Sequence, residues 1–538
     1  MPCTTLLVGR KASYDGSTIV ARNEDSPGGQ FTPKKFTVVM PEDQPRRYTS
    51  VISHLTIDLP DNPMRYTSMP NALPGEGIWG EAGVNSANVT MSATETLTTN
   101  ERVLGADPLV EYRPAKGKPG EDGYVAEVVG GIGEEDMLTL VLPYIRSARE
   151  GVARLGALLE MYGTYEMNGI AFSDVDEIWW LETVGGHHWI ARRVPDDCYA
   201  TVPNQLGLDT FDLEDALGDQ REFMCSPDLA DFMAVNHLDL TLSEPDDEVA
   251  WDGSLEDLLE DAPEGTLGSA FEGIFNPRDA FGSHSDSDHV YNTPRAWAMQ
   301  RFLSPYDEEW DGPDATCRPE DDDIPWCRVP QRRITIEDVK YVLSLHYQGT
   351  PYDPYGRMGD ERTRGAYRPI GINRNGQLAV LQVRPYAPEA LRSLQWISYG
   401  SNAFNTMVPF YANVERTPKY LSNTTERVTT ESFYWANRLI AVIADPHFHE
   451  NAADIERYQL KTGGMGQRFV RETDAAAEAL AGAQGGADSA AASPVWEMLA
   501  RANDRMAEQL REQTDKLLDK VLYTSSMKMK NGFSRSDG

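Results

Sequence analysis

The dipeptide Asp15-Gly16 divides the start of the chain into two short β-prone runs, Thr4 to Val8 and Thr18 to Ala21. A turn between such runs predicts a hairpin. The hairpin would return Arg22, Asn23, Glu24 and Asp25 towards Cys3, gathering a thiol, a guanidinium and two carboxylates at one end. A cysteine attacks as its thiolate, which needs a nearby cation to lower its pKa and a base to take the proton. Arg22 is the candidate cation. With Met1 and Pro2 removed, the α-amino group of Cys3 is the candidate base, since its ordinary pKa of about 7.7–8.0 lies near working pH. Asp25 is the group to orient that amine. The alternative reading is a structural cysteine in a terminal strand beside an ordinary Arg22–Asp25 ion pair, because free cysteine often behaves as a small hydrophobe.

The run CTTLLVGRKASYDGSTIVARNED, residues 3–25, resembles the opening of the N-terminal-nucleophile cysteine dipeptidases, the dipeptidase A family, whose mature chains begin at the catalytic cysteine. Secernins, choloylglycine hydrolases and penicillin V acylases are related to that family. Similar stretches recur at Gly80 to Asn85 with Val89 to Thr96, at Asn168 to Asp197, at Ala200 to Gln205, at Tyr291 to Leu303, and in several runs from Tyr367 to Ile440. The resemblance implies an α+β fold, the αββα sandwich of two antiparallel sheets between helical layers. It implies Cys3, Arg22, Asp25 and Asn204 as catalytic residues, with Asn204 donating to the oxyanion. A backbone N–H around Thr94 to Thr96 is the second donor, so Thr94 and Glu95 join the substrate site. Arg295 is the residue matching a substrate-facing arginine, with a solvated helix arginine as the other reading. Dipeptides with a free N-terminus are the implied substrates, no metal or organic cofactor is needed, and a homo-oligomer is expected.

The encoded chain starts Met1-Pro2-Cys3, so the proposed base exists only once two residues are gone. Two rival classes stay open. One is an amidase acting on N-acyl amino acids or penicillin V-like substrates; the other is a non-catalytic, secernin-like interaction protein.

The chain's 538 residues carry 84 acidic against 49 basic side chains, a formal charge of −35. Such a charge repels nucleic acid and anionic membranes and argues against both as partners. The sequence has neither an eighteen-residue apolar stretch nor a signal-like N-terminus, so the expected location is cytoplasmic. Five cysteines (3, 198, 225, 317 and 327) lack CxxC spacing; zinc is not indicated, and a Cys317–Cys327 bridge remains an option. The HxH of His447 and His449 lacks a third ligand in register.

The expected organisation is a catalytic domain over 3–470, with loop-like insertions near 113–133 and 240–290 and a short helix at Leu255 to Leu259 in the second. An Ala/Gly-rich linker over 471–493, an amphipathic helix over 494–525 and a flexible tail over 526–538 follow. Apolar spacing over Glu134 to Tyr162 predicts one broken helix or two, with Gly151 between the halves. Trp179, Trp180 and Trp189 read as packing residues. His187 and His188, as neighbours on a strand, would face opposite sides. Thr335 and Asp338 form a capping pair for a helix, Pro294 starts another, and Tyr367 to Asn373 reads as a strand before a turn at Arg374 to Gly376.

Overall fold

The computed structural model describes residues 3–26, 32–240, 273–483 and 492–531. Met1-Pro2 and the expected helix at Leu255 to Leu259 lie outside them.

The hairpin forms. Strands Cys3–Val8 and Thr18–Asp25 pair antiparallel, with Cys3 opposite Glu24 and Thr5 opposite Arg22. Gly16 turns between them at φ 85°, a conformation that glycine adopts freely. This hairpin is the centre of a seven-stranded sheet. Its order is Cys327–Arg328, Tyr199–Val202, Cys3–Val8, Thr18–Asp25, Asn375–Val383, Ser393–Tyr399 and Val408–Tyr411, every pairing antiparallel. A six-stranded antiparallel sheet runs Phe223–Cys225, Trp189–Arg193, Ile178–Thr183, Asn168–Ser173, Thr90–Thr96 and Ala82–Val84.

The period-two alternation of strands sorts their residues into separate cores. Leu7 and Val20 join Ala171, Trp180 and Ile190 of the second sheet in one cluster. Their neighbours Leu6, Val8, Ile19 and Ala21 pack instead with Trp297 and Met299 of helix Thr293–Leu303 and with Val339 and Val342 of helix Ile336–Val342. On the second sheet Ile170, Phe172, Trp179 and Leu181 meet Met137, Leu140, Val152 and Leu155. The protein is thus a mixed α+β structure whose helices cover antiparallel sheets.

Several local expectations hold. Helix Ile336–Val342 opens with the Thr335/Asp338 capping box, helix Thr293–Leu303 carries Pro294 in its first turn, and all three tryptophans are buried. Others need correction. The helical run at 134–162 breaks not at Gly151 but between Glu134–Val141 and Ala148–Tyr162, where Pro143 sits in a short 3-10 turn and Ser147 caps the second helix by accepting from Glu150 N. Gly151 lies inside that helix, at a position where a Cβ would come within 2.4 Å of the Phe172 ring. Tyr367 to Asn373 is irregular, and the strand starts at Asn375, where a turn was expected. Pro369 has no N–H to pair, and Arg368 N and Gly371 N bond to the carbonyls of Val290 and Leu345. His187 and His188 sit in a turn rather than a strand, and both place Nδ1 on Asp107, at 3.0 and 2.7 Å.

Helix Phe448–Ala483 continues through residue 470 without interruption. The last helix, Ala492–Ser526, packs on it, on Phe433–Ala444 and on strand Val408–Tyr411. Leu499, Met506, Leu510, Leu517 and Val521 are buried by this docking. Asn503 bonds both the N–H and the C=O of Tyr411 at 3.0 Å, occupying the open edge of the seven-stranded sheet as a further strand would. Among the described residues no helix is long and apolar enough to cross a membrane. All five cysteines are free, so no Cys317–Cys327 bridge exists.

Candidate active site

Because Cys3 opposes Glu24 and Thr5 opposes Arg22, the side chains of Cys3, Thr5, Arg22 and Glu24 share the sheet face that looks towards the second sheet. Arg22 Nη1 lies 3.0 Å from Cys3 Sγ. The same nitrogen donates to the Thr94 carbonyl at 2.6 Å, while Nη2 donates to Glu81 Oε2 at 2.6 Å and the Ala93 carbonyl at 2.9 Å, and Nε to Ser92 Oγ at 2.9 Å. Five acceptors besides the sulfur, counting the Glu81 carbonyl at 3.2 Å, hold this guanidinium in one orientation. Glu134 Oε1 stands a further 3.6 Å away from Nη1.

A second cation extends the network. Lys34 Nζ donates to Glu81 Oε1 at 2.7 Å and Asn71 Oδ1 at 2.8 Å and lies 3.8 Å from Glu24 Oε1. Arg22, Lys34, Glu24 and Glu81 are all buried. Removing one member of such a set strands its partner's charge away from water. Glu81 occupies left-handed backbone at φ 63°, which presents both its carbonyl and its carboxylate to Arg22. Burial raises the Glu24 carboxyl to about 8 despite Lys34.

The Cys3 thiol is fully buried, and burial pushes its pKa well above the ordinary range. Arg22 opposes that rise; Glu95 and Glu134 add to it. Glu95 receives Thr5 Oγ1 on Oε2 at 2.7 Å, has no partner for Oε1, and is raised by burial to about 8. Thr94 N faces Glu134 Oε1 at 3.4 Å.

Asp25 projects from the opposite face of its strand. Arg368 Nη2 and Asn375 Nδ2 donate to its two oxygens. On this face Asn23 accepts from Asn402 at 2.6 Å and donates to the Leu343 carbonyl at 2.8 Å.

Asn204 lies in the bend that follows strand Tyr199–Val202, its Nδ2 donating to the Thr96 carbonyl at 3.0 Å. Arg295 binds Asn204 Oδ1 and Asn292 Oδ1, each at 2.8 Å, Thr4 Oγ1 at 2.6 Å, the Tyr291 carbonyl at 2.7 Å and the carbonyl of Cys3. A guanidinium has five N–H groups, and each of these has a protein acceptor. Arg295 therefore ties the backbone of the cysteine to the side chain of Asn204. Burial, reinforced by nearby Arg368, lowers its pKa to about 10.

The fold thus brings together Cys3, Arg22, Thr94, Glu95, Asn204 and Arg295, with Asp25 behind the strand. Sequence reasoning missed Lys34, Glu81, Glu134, Asn292, Arg368 and Asn375. The only available signal for Glu81 was its place in the family-like run Gly80 to Asn85. Among the described residues no group of three or more His, Cys, Asp or Glu side chains converges as a metal site.

The central hairpin thus holds a buried cysteine against a clamped arginine. The chain belongs to peptidase family C69, which it matches over residues 2–461. It is 62% identical to a protein named dipeptidase from Bifidobacterium longum (strain NCC 2705), covering all of both chains. It is 51% identical to a probable dipeptidase A of Streptococcus pyogenes serotype M18 (strain MGAS8232), covering 99% of this chain and 98% of the other. Against dipeptidase A of Lactobacillus helveticus the identity is 41%, over 97% of this chain and 96% of the other.

Proposed function

We propose that the protein is a cysteine dipeptidase of the N-terminal-nucleophile type, with the αββα sandwich of that class and Cys3 as its nucleophile. The observation that carries this reading is the 3.0 Å approach of Arg22 Nη1 to Cys3 Sγ inside a buried, fully hydrogen-bonded guanidinium clamp. Family membership and the relatives' names supply the substrate class, dipeptides. The expected location is cytoplasmic.

Loss of Met1 and Pro2 gives Cys3 a free amine. That amine takes the thiol proton, and Arg22 stabilises the resulting thiolate, which burial would otherwise disfavour. Sulfur attacks the peptide carbonyl, forming a C–S bond and an oxyanion that Asn204 and a backbone N–H near Thr94 to Thr96 stabilise. Collapse breaks the C–N bond as the ammonium returns its proton to the departing amine. Water then adds to the thioester, the amine acting again as base, and cleavage of the C–S bond releases the acid and the thiol. Asp25, through its place beside the start of the strand, orients the amine, and Arg295 fixes the Cys3 carbonyl and Asn204 relative to each other.

The test is hydrolysis of a dipeptide panel, N-acyl amino acids and penicillin V by the purified protein and by Cys3→Ala. The proposal expects turnover of dipeptides above the other two classes, abolished in the variant. Preferred cleavage of N-acyl substrates would make the protein an acylase on this scaffold.

A further inference from the structure

A cavity of about 350 Å3 adjoins Asn204, lined by Gln205 and by Asp209, Asp279, Asp288, Asp322 and Asp323. One arginine, Arg278, also lines it, but its hydrogen bonds go to the carbonyls of Gly207 at 3.0 Å, Ile324 at 2.7 Å and Asp322 at 3.3 Å rather than to a carboxylate. His284 and His289 also line it, Asp209 lies 3.4 Å from Arg192 Nη1 and Asp322 lies 3.7 Å from His289 Nε2, so Asp279, Asp288 and Asp323 are the lining carboxylates with no ion pair among the described residues. They keep the cavity net negative, a field that its low-dielectric walls focus.

The decisive residue is Asp288. It is 6% exposed, one carboxylate oxygen receives Asn292 Nδ2, and the other has no partner. An unpaired buried carboxylate oxygen is costly unless a ligand satisfies it. Asn292 links it to the reaction site, donating to the Asn204 carbonyl at 3.0 Å and accepting from Arg295 at 2.8 Å. Across the cavity, Ser283 Oγ meets Thr98 Oγ1 at 2.6 Å, two residues beyond the Thr96 carbonyl that Asn204 holds. Two residues lining the cavity, Asp288 and Ser283, are thus hydrogen-bonded to Asn292 and Thr98, the residues that lead to Asn204 and to Thr96. The aspartates line its wall without converging as a chelating group of three, which suits an organic cation better than a metal ion. On the other side of the short helix Asp288–Tyr291, Arg295, Arg368 and Arg374 lie over the Tyr291 ring at 5.2, 4.8 and 5.9 Å. These arginines are engaged within the protein, Arg295 by its five acceptors, Arg368 by Asp25 and Arg374 by the Tyr291 hydroxyl, so the carboxylates of the cavity alone carry the assignment.

We propose that this acidic cavity is the subsite for a primary ammonium group of the substrate. The assignment rests on the dipeptidase reading. The ammonium is either the free α-amine or a basic side chain.

The experiment compares processed wild type, Asp288→Asn and, as a mouth variant on an exposed residue, Asp322→Asn. Substrates are Ala-Ala, N-acetyl-Ala-Ala and Lys-Ala, and a second readout is calorimetric binding of n-butylammonium to Cys3→Ala protein with and without Asp288→Asn. The expected result is at least a tenfold rise in KM for amine-bearing substrates with kcat nearly kept, a collapse of the free-amine over N-acetyl preference, and at least tenfold weaker butylammonium binding. Asp322→Asn shows the same pattern at about two- to threefold. An effect confined to Lys-Ala assigns the cavity to a basic side chain; an effect on Ala-Ala assigns it to the α-amine. An equal fall in kcat on all three substrates, or unchanged butylammonium binding, overturns the proposal. Absence of turnover by wild type refutes the dipeptidase reading alone, and butylammonium binding then still decides the subsite.

Discussion

The two faces of strand Thr18–Asp25 solve different problems. Its inner face carries Arg22 and Glu24 into a buried network with Lys34 and Glu81. Its outer face carries Asn23 and Asp25 into a neighbourhood of side-chain amides, where Asn402 and Asn375 bond them and Arg368 is the charged partner of Asp25. A pleated strand cannot put neighbouring side chains on the same side. The proposed mechanism does not need it to: there the thiol is a side-chain group on the inner face, whereas the amine belongs to the backbone at the strand's end. In the proposed mechanism the inner face therefore sets the thiol's charge and the outer face sets the amine's position.

Breaking the inner face has the largest expected effect. Arg22→Met leaves Glu81 without its guanidinium partner and should lower stability by about 3–5 kcal/mol, read from denaturant midpoints. It should also slow iodoacetamide alkylation of Cys3 and move its pH profile upward. Unchanged alkylation would mean that Arg22 does not tune the thiol. Asn204→Ala comes next, with a barrier increase of about 2.7–4 kcal/mol in kcat and little change in alkylation. A loss confined to KM would remove Asn204 from oxyanion binding.

Asp25→Asn sharpens the contrast. The amide keeps an acceptor for Arg368 but not its charge, so stability should fall by about 1–3 kcal/mol. Turnover should drop while the alkylation profile, governed by the inner face, stays in place; a profile displaced like that of Arg22→Met would merge the two faces into one function. Last comes the pH dependence set by Glu95, which burial raises from 4.5 to about 8. Between those values the folded chain holds a proton that the unfolded chain releases. The contribution is complete below the unfolded value and is lost as pH rises through about 8. Glu95→Gln should flatten that part of the stability profile, measured by thermal unfolding from pH 4.5 to 9, and an unchanged slope would show that Glu95 ionises freely.

What was legible in the chain follows the range of the forces involved. The hairpin, the strands over 168–193, the capping box at Thr335 and the apolar stripe of the last helix depend on neighbours within a few residues, and periodicity reveals them. The clamp around Arg22 does not. Glu81 lies 59 residues away, Arg368 lies 343 from Asp25, and Asn375 lies 350 from it. A buried charge pair made at such separation leaves no local pattern. Gly151 misled because glycine reads as a helix breaker, whereas here it admits the Phe172 ring. The His187–His188 pair misled because alternation applies only within a strand, and Asp107 draws both rings to a turn. Arg295 was found by resemblance, but the commitment of all its donors to the protein emerges only from the folded chain.

The central claim is that Cys3 works with its own amine. The most direct measurement is the intact mass of the purified protein together with dipeptide turnover of the same sample, before and after proteolytic exposure of Cys3. The account predicts that activity tracks the fraction lacking Met1 and Pro2 and that the full-length fraction is inactive. Substantial turnover by protein retaining Met1 and Pro2 would contradict it and require a base other than the Cys3 amine.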